Sequence, residues 1–191
     1  MDLLVLGPQG AGKGTQAKRI AAEYELPHVS TGDMFRAAIA AQTPLGKRVE
    51  PILASGALVP DDVTVALIRE RLAEPDAAAG FALDGFPRNL VQAEALDEML
   101  REIGRSLDAI LFFNLPDPIA IERMLRRAAE ENRPDDTPEV IARRLEIYHS
   151  ETEPIVEHYR ATGKLVPLHA ERSIEQVWVE IASALGSLEP A

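Results

Sequence analysis

The sequence predicts an α/β fold, a doubly wound five-stranded parallel sheet with helices on both faces. Three observations carry this prediction. Short apolar runs alternate with segments of helical period along the chain. Those runs are apolar on both sides, as strands buried inside a parallel sheet must be. The first of them leads straight into a glycine-rich loop and then a helix, and doubly wound sheets bind ligands at the carboxyl ends of their strands. With 191 residues, no internal repeat and no linker-like stretch, one domain is expected.

The strands are expected at Leu3–Leu6, His28–Val29, Phe81–Leu83, Ala109–Asn114 and Leu165–Leu168. Lys13–Tyr24 has the helical pattern that follows the glycine loop. Ser30 or Thr31 caps the next helix, with Asp33 near its positive end. Asp61 opens another helix. Asp117-Pro118 and Thr137-Pro138 each read as an N-cap followed by proline at the first helical position. Ser173-Ile174-Glu175-Gln176 reads as a capping box. Pro154 removes a backbone donor and is expected to kink a long helix near Glu153. Trp178 and the apolar stripe of the last helix are assigned to the core. Two stretches interrupt the alternation. About fifty residues between Val29 and Phe81 carry helical signals and no strand, more than a plain crossover needs. Arg126–Thr137 is polar, charged and strandless, and excursions of this kind often act as lids.

Composition narrows the function. The net charge is −11, from 31 acidic and 20 basic residues, which argues against a nucleic-acid partner. No run approaches the ~20 apolar residues of a membrane span, and no signal or transit peptide is expected before the first strand. There is no cysteine, so disulfides and thiolate metal sites are excluded and a cytoplasmic location is expected. The four histidines, His28, His149, His158 and His169, show no triad or metal spacing and read as structural or surface positions.

The loop Gly7-Pro8-Gln9-Gly10-Ala11-Gly12-Lys13-Gly14-Thr15 carries the clearest chemistry. Its glycines let successive backbone N–H groups turn inward around an anion, and the helix that follows adds partial positive charge. Lys13 can reach terminal phosphates, and a nearby hydroxyl can hold Mg²⁺. Gly14 separates Lys13 from Thr15, which supplies that hydroxyl. An acidic protein that binds phosphate must build its positive potential locally, so clustering of the arginines matters more than their number.

Several further segments, together with this loop, carry a family resemblance: Ser30-Thr31-Gly32-Asp33-Met34-Phe35-Arg36, Gly56-Ala57-Leu58-Val59-Pro60, Leu83-Asp84-Gly85-Phe86-Pro87-Arg88, Arg133-Pro134-Asp135-Asp136 and Arg144-Leu145-Glu146. The chain resembles an adenylate kinase of the short-lid type, on a P-loop NTPase-type sheet. The resemblance implies a core at 1–29, 60–125 and 138–191, a helical AMP-binding insertion at 30–59 and a short lid at 126–137. It implies reversible, Mg²⁺-dependent, in-line transfer of the γ-phosphoryl of ATP to AMP, giving two ADP with no covalent enzyme intermediate. Its partners are then ATP, AMP and ADP, with neither nucleic acid nor membrane, and it acts as a monomer.

The resemblance also distributes roles. ATP falls to Gly10, Ala11, Gly12, Lys13, Gly14 and Thr15, to the arginines Arg123 and Arg127, and to a backbone contact at Arg172. AMP falls to Thr31, Gly32 and Arg36, to the backbone at Ala57, Leu58 and Val59, to Gly85, Phe86, Pro87, Arg88 and Gln92, and to Arg133 and Arg144. Lys13, Arg88, Arg123, Arg127, Arg133 and Arg144 are the expected catalytic set. Thr15 and Asp84 are expected to serve Mg²⁺ largely through water, and no zinc site is expected in so short a lid. Asp135 and Asp136 are expected to hold arginines during closure. Arg126 and Arg143, with Glu122 and Glu139 four residues before them, read as ordinary surface pairs.

Other readings exist for the same residues. Asp33 and Arg36 alone suggest a helical ion pair, Asp84 an N-cap, and Gln92 a solvated helix face. A pyrimidine nucleoside monophosphate kinase on the same scaffold is the nearest rival, disfavoured by Thr31 and Gln92. A nucleotide-dependent switch is the rival from another class. It has no use for the second pocket that Arg36, Arg88 and Gln92 describe, and Asn114-Leu115-Pro116-Asp117 lacks the lysine of a guanine-reading run.

Overall fold

The structure, a computed structural model, describes residues 1–131 and 137–188. Five parallel strands form its centre: β1 (Asp2–Leu6), β2 (His28–Ser30), β3 (Phe81–Asp84), β4 (Ala109–Asn114) and β5 (Leu165–His169). Their order is β2-β3-β1-β4-β5, and Leu4 of β1 lies between Leu83 and Ile110 of its neighbours. Four of the five strands run one residue beyond the apolar pattern, into Asp2, Ser30, Asp84 and His169. The ladder tolerates a polar end where the side chain finds a partner. Asp2, for instance, accepts from Arg105 Nε at 2.8 Å.

Alternation along the strands divides the core in two. Leu3, Val5, Leu111 and Phe113 face α1 (Lys13–Glu23) and α9 (Ile174–Gly186), meeting Ala17, Ile20, Val177 and Ile181. Leu4, Leu6, Leu83 and Ile110 face α4 (Asp61–Leu72), α5 (Leu90–Glu102) and α8 (Pro154–Arg160), meeting Ile68, Leu96, Leu100, Ile155 and Tyr159. The strandless stretch after β2 folds as α2 (Thr31–Ala40) and α3 (Pro44–Ala54) around a small core of its own, Phe35, Val49 and Val59. Trp178, assigned to the core, is only partly buried at its edge, with the Arg19 guanidinium 4.3 Å above its ring.

The caps explain the remaining boundaries. Ser30 Oγ accepts from Asp33 N at 3.3 Å, Thr137 caps α7 (Pro138–Ile147) through Val140 N, and the capping box of Ser173 and Gln176 is complete. Asp117 is not a cap: α6 (Asp117–Glu131) includes it, and its carboxylate instead meets His149 Nε2 at 2.9 Å. Pro154 produces a widening rather than a sharp kink. Residues Tyr148–Thr152 form a π turn, and Glu153 N reaches back five residues to Tyr148 O at 2.8 Å. Proline cannot donate, and its ring crowds the carbonyl four residues earlier, so the backbone loosens just before it. Among the described residues no helix is long and apolar enough to cross a membrane.

His149 fastens this junction, with Nδ1 2.9 Å from Glu153 Oε2 and Nε2 on Asp117. Glu153 first, then Asp117, raise its pKa above the ordinary value. The stabilisation is complete below the unfolded value of ~6.5 and is lost as pH rises through the raised folded value. His149→Gln is therefore expected to lower stability toward urea more at pH 6 than at pH 9; equal losses at the two pH values would contradict a charged clamp.

Candidate active site

A cavity of about 1000 Å³ opens at the carboxyl ends of the strands. That is the top of the ~300–1,000 Å³ usual for one small-molecule site. Its walls are the glycine loop after β1, the start of α2, the turn at Gly56–Val59, the end of β3, parts of α6 and α7, and the turn from β5 into α9.

The loop takes its shape from its glycines. Gly10 has φ +82°, and a Cβ there would lie 2.7 Å from Ala120 O on α6. Gly12 precedes α1 without a side-chain cap, so the first N–H groups of that helix are left for an anion. Lys13 Nζ folds back on its own loop, donating to Gly7 O at 2.8 Å and Pro8 O at 2.7 Å. Burial lowers its pKa to about 8; Arg88 and Arg127 add to the effect and Asp84 opposes it. Asp84 ends β3 and is buried, close enough to the loop that a Cβ on Gly14 would lie 3.6 Å from its Oδ2. Burial alone would raise its pKa, but His28, Lys13 and Arg88 together hold it below the ordinary value. His28 Nε2 stands 3.8 Å from Asp84 Oδ2, too far for a hydrogen bond.

Opposite the loop, three hydrogen bonds position Arg88. Its Nε donates to Gly85 O at 2.8 Å, its peptide N donates to Gln92 Oε1 at 2.8 Å, and its carbonyl accepts from Thr152 Oγ1 at 2.7 Å. Thr31 Oγ1 donates to the same Gly85 carbonyl at 2.8 Å. Only glycine fits at 85, where φ is +81° and a Cβ would lie 2.6 Å from Thr31 Oγ1. Burial, with Arg144 and Arg36 nearby, lowers the Arg88 pKa against the pull of Asp84. Gln92 is buried, not solvated, and its Nε2 donates to Asp61 Oδ1 at 2.7 Å. Both ends of this residue, expected to contact AMP, are thus engaged within the protein. Arg36 lines the cavity and also forms the ion pair with Asp33, at 2.5 Å. Gly32, Ala57, Leu58, Val59, Gly85 and Pro87 line the same wall, whereas the Phe86 side chain is buried in the core beneath it.

The remaining arginines close the circle. Arg123 donates to Ala170 O at 2.8 Å and Glu171 O at 3.3 Å. Arg172 pairs with Glu180 Oε1 at 2.5 Å. The turn from β5 into α9 is thereby held from two sides. Arg127 and Arg144 also line the cavity. Arg126, read as a surface residue, reaches the cavity rim as well, and its nearest carboxylate is Glu130 at 4.0 Å rather than Glu122. Arg133, Asp135 and Asp136 lie outside the described residues. Sequence reasoning missed Gln9, Thr152, Ser173, Ile174 and Val177, all of which line the cavity. The last three belong to a capped, periodic helix whose pattern signals packing alone. Thr152 is turned toward Arg88 by the π turn, for which Pro154 was the one visible sign.

Comparison with known proteins agrees with this geometry. A family model described as adenylate kinase matches residues 5–164. An adenylate kinase of Parvibaculum lavamentivorans is 48% identical over 189 residues, spanning 97% of this chain and 92% of the relative. An adenylate kinase of Caulobacter vibrioides is 47% identical, spanning 97% of each chain. One from Xanthomonas euvesicatoria is 44% identical, spanning 97% of this chain and all of the relative. A parallel sheet, a glycine loop and arginines lining one cavity occur in a chain matched nearly end to end by these relatives: the chain belongs to the adenylate kinase family.

Proposed function

We propose that the cavity seats two nucleotides end to end, with the ATP phosphates on Gly10–Thr15 and AMP against α2, the 57–59 turn and the Gly85–Gln92 segment. One observation carries this reading. Arg36, Arg88, Arg123, Arg127 and Arg144, from four parts of the chain, converge with Lys13 on a single cavity of a protein whose net charge is −11. Such a cluster is poorly stable without an anion and well matched to a row of phosphates.

An AMP phosphate oxygen is already anionic near neutral pH, so transfer needs no strong base. That oxygen attacks the γ-phosphorus, the bond from phosphorus to the β–γ bridging oxygen breaks, and the electron pair leaves with ADP. The product on the acceptor side is a second ADP, and the reverse reaction uses the same groups. The protein contributes alignment and charge stabilisation. Lys13 leaves its loop carbonyls for the terminal phosphates, Arg123 and Arg127 steady the donor, and Arg36 and Arg144 hold the acceptor. Arg88 stands between the two, with Arg133 joining from the lid. Asp84 and Thr15 supply an ionised carboxylate and a hydroxyl, hard oxygen donors suited to Mg²⁺ held chiefly by phosphates and water. The bound ion would neutralise charge on the donor phosphates. Segments 30–59 and 126–137 close over the pair and expel water that would otherwise accept the phosphoryl group. The enzyme works as a monomer in the cytoplasm, a proposal that fits a site assembled within one cysteine-free chain.

A coupled assay with ATP and, in turn, AMP, CMP, UMP and GMP is expected to show strong AMP preference, and equal turnover of UMP would reject the adenine reading. Arg88→Ala is expected to lower kcat by ~10²–10³, the usual loss for one transition-state donor, and Lys13→Met to abolish transfer while the fold persists. With an unliganded pKa of about 8, Lys13 regains its proton when phosphates arrive. Binding of a non-hydrolysable ATP analogue near pH 8 should thus take up protons. Calorimetry in buffers of different ionisation enthalpy reads this, and the uptake should vanish in Lys13→Met.

A further inference from the structure

Gln9 lies in the glycine loop, lines the cavity and takes no part in the mechanism above. Its Oε1 is buried with no hydrogen-bond partner, one of three such side-chain atoms among the described residues. The side chains that carry the other two each have a neighbouring polar contact. Gln16 is anchored through Nε2 to Ile174 O at 2.8 Å, and His28 Nε2 faces Asp84 at 3.8 Å. Among the described residues neither end of the Gln9 carboxamide has a partner. A buried acceptor left in this state forfeits its hydration with nothing in return, and such orphans in a native fold call for an explanation.

Position supplies one. Lys13 Nζ rests on Gly7 O and Pro8 O, the carbonyls immediately before Gln9. The ammonium group that meets the terminal phosphates therefore starts beside the Gln9 backbone. On the other side, Gly10 packs against Ala120 and Met124 of α6, the helix that carries Arg123 and Arg127. Gln9 thus lies in the loop between the carbonyls that hold Lys13, beside the place of the terminal phosphate, and the glycine packed on the arginine-bearing helix. A carboxamide has a donor for the first and an acceptor for the second.

We infer that Gln9 is a further catalytic residue, whose Nε2 donates to an oxygen of the γ-phosphoryl during transfer while Oε1 accepts from a guanidinium of α6. The inference rests on the two-nucleotide reading of the cavity. On closure both ends of the amide are satisfied together, and the cost of the orphaned oxygen is relieved only when the donor phosphates are present. The contact stabilises the transferring group and leaves the acceptor pocket alone.

The test compares Gln9→Met and Gln9→Glu with the wild-type protein, using ATP and AMP. Gln9→Met keeps the length of the side chain and removes both polar ends. It is expected to lower kcat about tenfold or more, to leave KM for AMP within about twofold, and to raise the melting temperature of the unliganded protein. Gln9→Glu keeps an acceptor but sets an anion against the phosphoryl group, so its kcat should fall further. Wild-type turnover of AMP tests the reading of the cavity by itself. A Gln9→Met kcat within twofold of wild type would overturn the role of Gln9 alone. So would a Gln9→Met variant that melts lower, with its kcat restored on cooling, since that pattern belongs to a purely structural residue.

Discussion

Everything in this protein is arranged around positive groups kept close together in a partly buried space before any anion arrives. Seven arginines, with Lys13 and Lys18, line one cavity while the protein as a whole is acidic. Burial and mutual repulsion depress both Lys13 and Arg88. Asp84 is the one buried carboxylate facing both among the described residues, and His28 together with these two cations holds its pKa low against burial. Lys13 covers its charge with two loop carbonyls and Arg36 pairs with Asp33. These provisional partners are cheap to give up compared with contacts in a rigid network. The cavity wall is therefore held weakly at Lys13 and Arg36 and more firmly around Arg88.

The rigid part is the support of Arg88. Four groups from different parts of the chain meet there: Gly85 O, the Thr31 hydroxyl, the Gln92 carboxamide and the Thr152 hydroxyl. They join β3, α2, α5 and the π turn. A guanidinium held by its Nε and its backbone keeps both terminal nitrogens available for a ligand, and little side-chain freedom remains to be lost on binding. Gln92 is best understood within this support: its position matters to the site although its own polar ends are turned inward.

The fold was almost wholly legible in the sequence because parallel strands buried on both sides leave continuous apolar runs, and caps mark helix starts. What patterning could not reveal were outcomes set by tertiary partners. Strands lengthened where polar ends such as Asp2 met a counter-charge. Asp117 lies inside its helix, with its carboxylate on His149. The glycine loop and the arginines of the cavity were legible as a set, since six of the seven arginines assigned to nucleotides line it and the seventh, Arg133, lies outside the described residues. Phe86 and Arg126 were not, because a motif names a segment and does not say which side chain within it points inward. Gln9 was hidden for the opposite reason, inside a motif read for its backbone.

The π turn at Tyr148–Thr152 has an evolutionary side. One surplus residue is stored in that wide turn, and each residue of an α-helix advances the chain by about 100°. Losing it would restore regular winding but spin Ile155, Val156 and Tyr159 off the sheet they cover. It would also carry the Thr152 hydroxyl away from Arg88. A single-codon deletion here would thus strike packing and site together, so this short stretch should resist length change even while its exposed side chains drift.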